Sequence, residues 1–436
     1  MLDIRFVRKS PEVIRASLQK RGDAAKLELL EKLLQDDELY RKKLQETEAL
    51  RGRRNSVTRD VATAMKAGDK RKADELKAEA ANVPDQIKEV EMEMQVVQER
   101  VKYGLTHLPN VLHESVPVGH GAEGNIVVRT WGTAKPAHAN LKPHGEFAEE
   151  MGWADFGRAA KVAGAGFVYL LGDLARLDFA MQLFALDLLE KKGFVTVQVP
   201  LLLDKKPYEA VTDLADFENV MYKIDGEDKY LIATSEHALA AMYASETFDP
   251  DDLPVKLAGV SPCFRREIGS HGVDTRGLFR MHQFNKVEQF VFSRPDQSWQ
   301  IHEELIANAE EFFSALELPY RVVNLCTGDM GTVAAKKYDL EVWMPREKAY
   351  REAVSCSNCT DYQAVGLGVR YRLKKGGEEK EYLHTLNSTQ VATSRAMRAV
   401  LENFQQEDGG VVVPNVLRKY MNDIEFLRPL KRPATT

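Results

Sequence analysis

Long apolar runs are missing from this 436-residue chain, and no uninterrupted hydrophobic stretch reaches the length needed to span a bilayer. A helical membrane protein is therefore excluded. The opening MLDIRFVRKSPEVI lacks the apolar segment of a secretory signal. Cysteine is scarce. Cys263, Cys326, Cys356 and Cys359 are too few for a disulfide scaffold, so a reduced, cytoplasmic setting is expected. Neither sign of charge dominates, because a net charge of −6 does not make the whole surface a polyanion binder. No GxxxxGK[ST] loop occurs, so bound phosphate must be held by side chains and metal. Guanidinium groups suit that task, since their planar fork fits phosphate oxygens two at a time.

Aromatic residues are absent between Tyr40 and Tyr103. That stretch is instead rich in Lys, Glu, Ala, Leu and Gln, and it repeats like a coiled coil. Leu76, Val83, Ile87, Val90, Met94, Val97 and Val101 set one apolar seam along a helix. Leu30, Leu34, Leu44, Val57, Val61 and Met65 mark a less regular first half. Lys66-Ala67-Gly68-Asp69 between them reads as a turn, so two long helices fold back as an antiparallel coiled coil. Pro84 is expected to kink the second helix.

Charge along this arm is uneven. Arg51, Arg53, Arg54, Arg59, Lys66, Lys70, Arg71 and Lys72 stand against only Asp60 and Asp69, so residues 51–72 are locally about +6 by that count (8 − 2). A basic patch at the far end of a projecting hairpin points to contact with a nucleic-acid backbone.

Residues 109–139 read as a Pro-, Gly- and His-rich connector between the arm at 1–108 and a larger domain at 140–436. Gly119-His-Gly121-Ala-Glu-Gly124 matches the dinucleotide fingerprint only formally, because it does not follow a strand and open a helix. Beyond residue 140, helices are expected at Leu174–Lys192, Asp296–Leu316 and Thr393–Gln405. Strands are expected at 194–200, 256–264, 282–292, 320–325, 339–343, 350–355 and 369–373. Consecutive strands with few helices between them favour a mainly antiparallel sheet, hence an α+β fold.

The densest chemistry lies in FRREIGSHGVDTRGLFRMHQFNKVE, Phe264 to Glu288, where five cations crowd a long hairpin with Glu267 and Glu288 near its ends. This run resembles motif 2 of the class II aminoacyl-tRNA synthetases, in the form found in the seryl-tRNA synthetase family. The resemblance extends over essentially the whole chain. The helix and strand ending at Pro200 resemble motif 1, and Thr234-Ser235-Glu236 is similar to the TxE serine loop. Tyr350-Arg-Glu352 running into Cys356-Ser-Asn-Cys359 is similar to the segment before motif 3. His384-Thr-Leu-Asn387 with Arg395 at a helix start resembles motif 3 itself.

The resemblance implies an arm-bearing class II catalytic domain that activates L-serine with ATP and transfers it to tRNA(Ser), with tRNA(Sec) left open as a second acceptor and a homodimer as the assembly. It implies Arg265, Arg395 and Glu352 as catalytic residues. Serine contacts fall on Thr234, Ser235, Glu236, Arg265, Glu288, Asn387 and Thr389. ATP contacts fall on Arg265, Arg266, Glu267, Arg280, Phe284, Glu352, Ala353, Val354, Ser355 and Arg395, with Mg2+ on Glu352 and Ser355. The basic residues of 51–72 become the tRNA-binding set.

The chain departs from the family at Val354, where serine is common, at Val365-Gly366 in place of two arginines, and at Ser388-Thr389-Gln390. Two other classes compete: a paralogue that charges a carrier protein, which should lack the arm, and a non-catalytic coiled-coil adaptor, to which the motif residues would be superfluous. Cys356-x-x-Cys359 is read as core thiols and His282 as structural.

Overall fold

The computed structural model describes residues 1–212, 220–267 and 277–431. They fall into two compact units, Leu2–Pro109 and, together with Met1, Asn110–Thr436.

The first unit is helical: α1 (Ile4–Lys9), α2 (Pro11–Arg21), α3 (Ala24–Lys66), α4 (Lys70–Ala80) and α5 (Val83–His107). The Asp23 carboxylate starts α3 by accepting from the Lys26 amide at 3.0 Å. The reversal falls at the expected turn, where Gly68 takes a φ of +79° and Asp69 caps α4. Ion pairs Asp36–Arg100, Lys43–Glu93 and Arg53–Glu79 run in opposite senses along α3 and the returning chain, as antiparallel helices require. Val83, Ile87, Val90 and Val97 of the expected seam are buried.

Three details differ from expectation. Pro84 does not kink a continuous helix. The helix stops at Ala80, and α5 begins at Val83 with proline in its first turn, where a missing N–H leaves nothing unsatisfied. Leu44 and Met65 are exposed. The buried side of α3 instead carries Asp37, bound by Arg8 and Arg41, and Thr47, whose hydroxyl donates to the Lys43 carbonyl. Helices α1 and α2 were not anticipated.

The second unit is built on an eight-stranded sheet. Its strands in chain order are β1 (Ile126–Trp131), β2 (Val195–Gln198), β3 (Val255–Phe264), β4 (Gln283–Ser293), β5 (Tyr320–Asn324), β6 (Lys336–Met344), β7 (Ala349–Asn358) and β8 (His384–Ala392). They lie in the order β1-β5-β6-β7-β8-β4-β3-β2. Every pairing is antiparallel except β2 with β3, which is parallel. From Asn110 the expected connector belongs to this unit, and β1 is an edge strand of the sheet. The segment expected as a strand at 369–373 is Arg370–Arg372, in a separate three-stranded sheet.

Helices α6 (Gly172–Glu190), α7 (Ser298–Ala315) and α8 (Thr393–Asn403) pack on the sheet through one continuous apolar core that includes Leu177, Phe184, Phe312, Val287, Leu340 and Val400. A second cluster, with Tyr208, Leu239, Phe290 and Phe292, covers part of the opposite side. Val287 and Val291 therefore face one layer while Phe290 and Phe292 face the other, the alternation a strand imposes.

Candidate active site

The antiparallel pair β3–β4 carries the arginine-rich run, with Phe264 opposite Gln283 where the pair opens into its loop. The tip of that loop, residues 268–276 with Arg276, lies outside the described residues. Phe284, Lys286 and Glu288 sit at alternate positions of β4, so their side chains project to the same side of the sheet. Asn387 and Thr389 do the same on the neighbouring strand β8. All five line one cavity of about 130 Å3.

Strand β7 reaches that cavity through an irregularity. Glu352 and Ser355 are three residues apart and would face opposite sides of a regular strand. The pairing jumps from Leu340–Val354 to Glu341–Glu352, leaving Ala353 as an extra residue. This bulge turns Glu352, Ala353 and Ser355 all towards the cavity. Val354 points the other way, fully buried in the core. The family departure at this position is therefore a packing change, and the Val354 side chain does not line the cavity.

The helix Ser235–Ala241 closes a further side. Thr234 caps it by accepting from the Glu236 amide at 3.2 Å. It lies close to the sheet because Gly259, paired with Glu288, has no side chain. A Cβ there would come within 2.8 Å of Ser235 Oγ and Leu239 Cδ1. Thr234 and Glu236 face the cavity, whereas Ser235 is buried behind it and donates to the Gly259 carbonyl.

Charged groups in the cavity are tied to fixed partners. The Arg265 Nε donates to the Ala233 carbonyl at 3.3 Å, and its guanidinium stands 5.4 Å from the centre of the Phe284 ring. Arg395, near the start of α8, contacts both the Glu352 carbonyl and its carboxylate at 3.0 Å. Burial alone would raise the Glu352 carboxyl, but Arg395 and Lys337 outweigh it and hold the acid below the usual range. Asp339, opposite Ser355 on β6, is raised, chiefly by burial. Its Oδ1 lies 3.6 Å from the Lys337 ammonium and makes no hydrogen bond.

Glu236 accepts from the Asn387 and Gln363 amides, both at 3.0 Å. Burial, then the nearby Glu288, pushes its carboxyl up to about 7. Glu288 is likewise raised by burial, and its Oε2 receives both the Lys286 ammonium at 2.6 Å and the Thr389 hydroxyl at 3.3 Å.

Eleven of the expected residues thus meet at one place: Thr234, Glu236, Arg265, Phe284, Glu288, Glu352, Ala353, Ser355, Asn387, Thr389 and Arg395. Lys286 joins them unanticipated, having read as one more cation in a basic run. Arg266, Glu267 and Arg280 do not line this cavity. Arg280 binds Glu267 at 3.3 Å and borders a neighbouring, larger space of about 590 Å3 with Arg346 and Phe167. Cys356 and Cys359 are buried thiols pushed up by that burial, and His282 is held by the Tyr222 hydroxyl and Phe167, both as expected.

On the arm, all eight basic residues of 51–72 are exposed. Arg51 pairs with Glu91, Arg53 with Glu79 and Arg71 with Glu75. No salt bridge involves Arg54, Arg59, Lys66, Lys70 or Lys72 among the described residues.

A mainly antiparallel sheet that gathers arginines and carboxylates from a long hairpin, and from a following strand and helix, defines a class II aminoacyl-tRNA synthetase core. The family model "tRNA synthetase class II core domain (G, H, P, S and T)" matches residues 220–404, and "Seryl-tRNA synthetase N-terminal domain" matches residues 1–112. The chain is 59% identical to a serine–tRNA ligase of Methanospirillum hungatei over 98% of its own length and 100% of that protein's. It is 58% identical, with the same coverage, to one of Methanocella arvoryzae. Among solved structures it is similar to seryl-tRNA synthetase from Pyrococcus horikoshii complexed with ATP, at 46% identity and a TM-score of 0.92, covering 99% of this chain and 100% of that one. The cytoplasmic enzyme of Naegleria fowleri in complex with AMP follows, at 35% identity and a TM-score of 0.86, covering 99% of each. The chain belongs to the seryl-tRNA synthetase family and is a serine–tRNA ligase.

Proposed function

We propose that the cavity of about 130 Å3 is where serine and the α-phosphate of ATP react, with roles divided as follows. One observation carries this reading: the arginines of β3 and α8 share a wall with a cluster of acids and amides from three other elements. Glu236 and Glu288 take the serine ammonium and hydroxyl, helped by Thr234, Asn387 and Thr389. A serine carboxylate oxygen attacks the α-phosphorus, the bond to the bridging oxygen breaks, and pyrophosphate leaves. The nucleophile is already an anion, so no general base is needed and catalysis reduces to positioning and charge neutralisation. Arg265 bridges the attacking carboxylate and the α-phosphate. Arg395 neutralises the outer phosphates, its orientation fixed by two contacts to Glu352. Phe284 offers its ring to the adenine, and Arg280, Glu267 and Arg266 flank the route by which ATP enters.

The donor set fits Mg2+. Glu352 is held ionised, Ser355 shares its face, and Asp339 beside them has an oxygen without a hydrogen bond. Among the described residues no group of three or more protein ligands exists, which suits a hard cation that keeps waters and substrate oxygens. When bound, the ion supplies charge neutralisation on phosphate oxygens. The acceptor hydroxyl of the terminal adenosine of tRNA(Ser) then displaces AMP, while the basic residues of 51–72 grip the tRNA backbone. Competition of tRNA(Sec) with tRNA(Ser) for binding would mark it as a second acceptor.

The proposed assembly is a homodimer. Edge strand β2 and the outer face of α6 expose Val195, Phe179 and Leu183, an apolar surface that a twofold partner would cover. The proposed division is an arm, a connector and a catalytic domain, in a cytoplasmic enzyme. Serine-dependent exchange of pyrophosphate into ATP, run on wild type and on Thr389→Val, tests the cavity. A raised KM for serine with an unchanged KM for ATP is expected, and equal effects on both substrates would contradict the assignment.

A further inference from the structure

Lys286 is the one charged residue of the cavity for which the reaction, as set out above, has no use. It lies two residues before Glu288 on β4, and its ammonium is 2.6 Å from the Glu288 carboxylate, with 6% and 2% of the two side chains accessible. A lysine placed so deep gives up its hydration, and it is retained at that depth only with a partner. The pair also lies within electrostatic reach of a second acid, since the Glu288 charge, after burial, helps to raise the Glu236 carboxyl in the same small space. Other titratable or charged groups around the two acids are Arg265, the Cys263, Cys356 and Cys359 thiols, the buried Tyr208 phenol, and His237, whose imidazole is kept neutral by burial.

Simple charge counting shows the difficulty. Two carboxylates side by side in a dry cavity cannot both stay ionised for one substrate ammonium, because the second negative charge would be left uncompensated and would take up a proton instead. A protonated carboxyl is a hydrogen-bond donor at one oxygen, and it presents the wrong polarity to an ammonium group. Arg265 cannot supply the balance, since in the proposed reaction it is committed to the substrate carboxylate and phosphate. Lys286 is committed to nothing else.

We propose that Lys286 sets the charge of the amino-acid pocket: by neutralising Glu288 it lets both Glu288 and Glu236 stand ionised around a single substrate ammonium. Its Nζ takes the Glu288 Oε2 together with the Thr389 hydroxyl. Oε1 of Glu288 is then free to accept from serine, and Glu236 offers the oxygen not already engaged by Asn387 and Gln363. Lys286 acts through Glu288 and is a positioning residue. The inference rests on the serine-pocket reading given above.

The test is serine-dependent pyrophosphate exchange between pH 6.5 and 8.5 on wild type, Lys286→Gln, Lys286→Arg and Glu288→Gln. Lys286→Gln should raise the KM for serine by about 10- to 100-fold near neutrality, with the KM for ATP within a few-fold. That penalty should shrink as pH rises, since hydroxide removes the proton that the missing ammonium no longer keeps off. Lys286→Arg retains the cation and should return the pH profile towards wild type, which keeps the idea open to refutation if the glutamine variant does not fold. A serine KM that Lys286→Gln leaves unchanged, a penalty independent of pH, or an arginine variant with a displaced profile would each overturn the proposal. Glu288→Gln separates the two levels. If it raises the serine KM while Lys286→Gln does not, only the role of Lys286 fails, and if it has no effect, the pocket reading itself fails.

Discussion

The arm and the cavity both depend on cations, and they treat them in opposite ways. At residues 51–72 the guanidinium and ammonium groups stand in solvent, and five of the eight make no salt bridge among the described residues. In the cavity Arg265, Arg395 and Lys286 each have a fixed partner, Ala233, Glu352 and Glu288 respectively. Exposed, loosely held charge is screened by salt and adapts to a backbone of phosphates without reading it closely. Enclosed charge with a single orientation costs no reorganisation when substrate charge develops. On the proposed reading the same residue types serve loose capture in one unit and exact placement in the other.

The largest effect that sharpens this contrast is discrimination by the enclosed site. A pocket whose buried oxygens and amides are arranged for a hydroxyl leaves them unpaired when alanine enters. Wild-type pyrophosphate exchange should therefore favour serine over alanine by about 10^4 or more in kcat/KM. A ratio near 100 would mean the acids and amides around Glu288 do not enclose the hydroxyl. Next in size, Arg265→Ala should lower exchange by about 10^2- to 10^3-fold without loss of fold, the usual consequence of removing one charge-stabilising contact. Activity within a few-fold of wild type would remove Arg265 from the reaction.

A smaller effect follows from Glu236. Its carboxyl is raised to about 7 and must be ionised to receive an ammonium, so the KM for serine should fall as pH rises through that value. Below it the KM should climb by about tenfold per pH unit, and Glu236→Gln should flatten this limb while weakening binding. The smallest effect belongs to the exposed pairs on the arm. Losing Arg51–Glu91 or Arg53–Glu79, each at least a third exposed on both sides, should cost about 1 kcal/mol or less of stability in denaturant unfolding.

Much of this was legible before any coordinates. The hairpin run from Phe264 to Glu288 and Glu352 of β7 announced themselves by residue type, and the arm by its seven-residue repeat. What stayed hidden has physical causes. Strand β8, HTLNSTQVA, has no apolar alternation, because it lies between two other strands with both faces covered and its polar side chains find buried partners. Thr385 donates to Gln363 at 2.7 Å, and Gln390 donates to the Asn308 carbonyl at 3.0 Å. The inward turn of the Val354 side chain is not legible in the sequence, because a one-residue bulge cannot be read from residue types, yet it decides which of four consecutive side chains meet the cavity. Lys286 was overlooked because five cations in one run look alike until burial separates them. Leu44 and Met65 fell off the seam because the buried positions along this helix are taken by Asp37 and Thr47, both polar, and by Ala64 next to Met65.

The contrast between the two regions is tested most directly on a chain whose arm has lost only its unpaired cations. Arg54, Arg59, Lys66, Lys70 and Lys72 changed together to alanine leave the salt bridges of Arg51, Arg53 and Arg71 in place. Pyrophosphate exchange should be unchanged, since it needs no tRNA, while the KM for tRNA(Ser) in charging should rise. The dependence of tRNA binding on salt should flatten by roughly 0.7–0.9 log units of slope for each phosphate contact removed. An original salt slope, or exchange and charging lost together, would contradict the account.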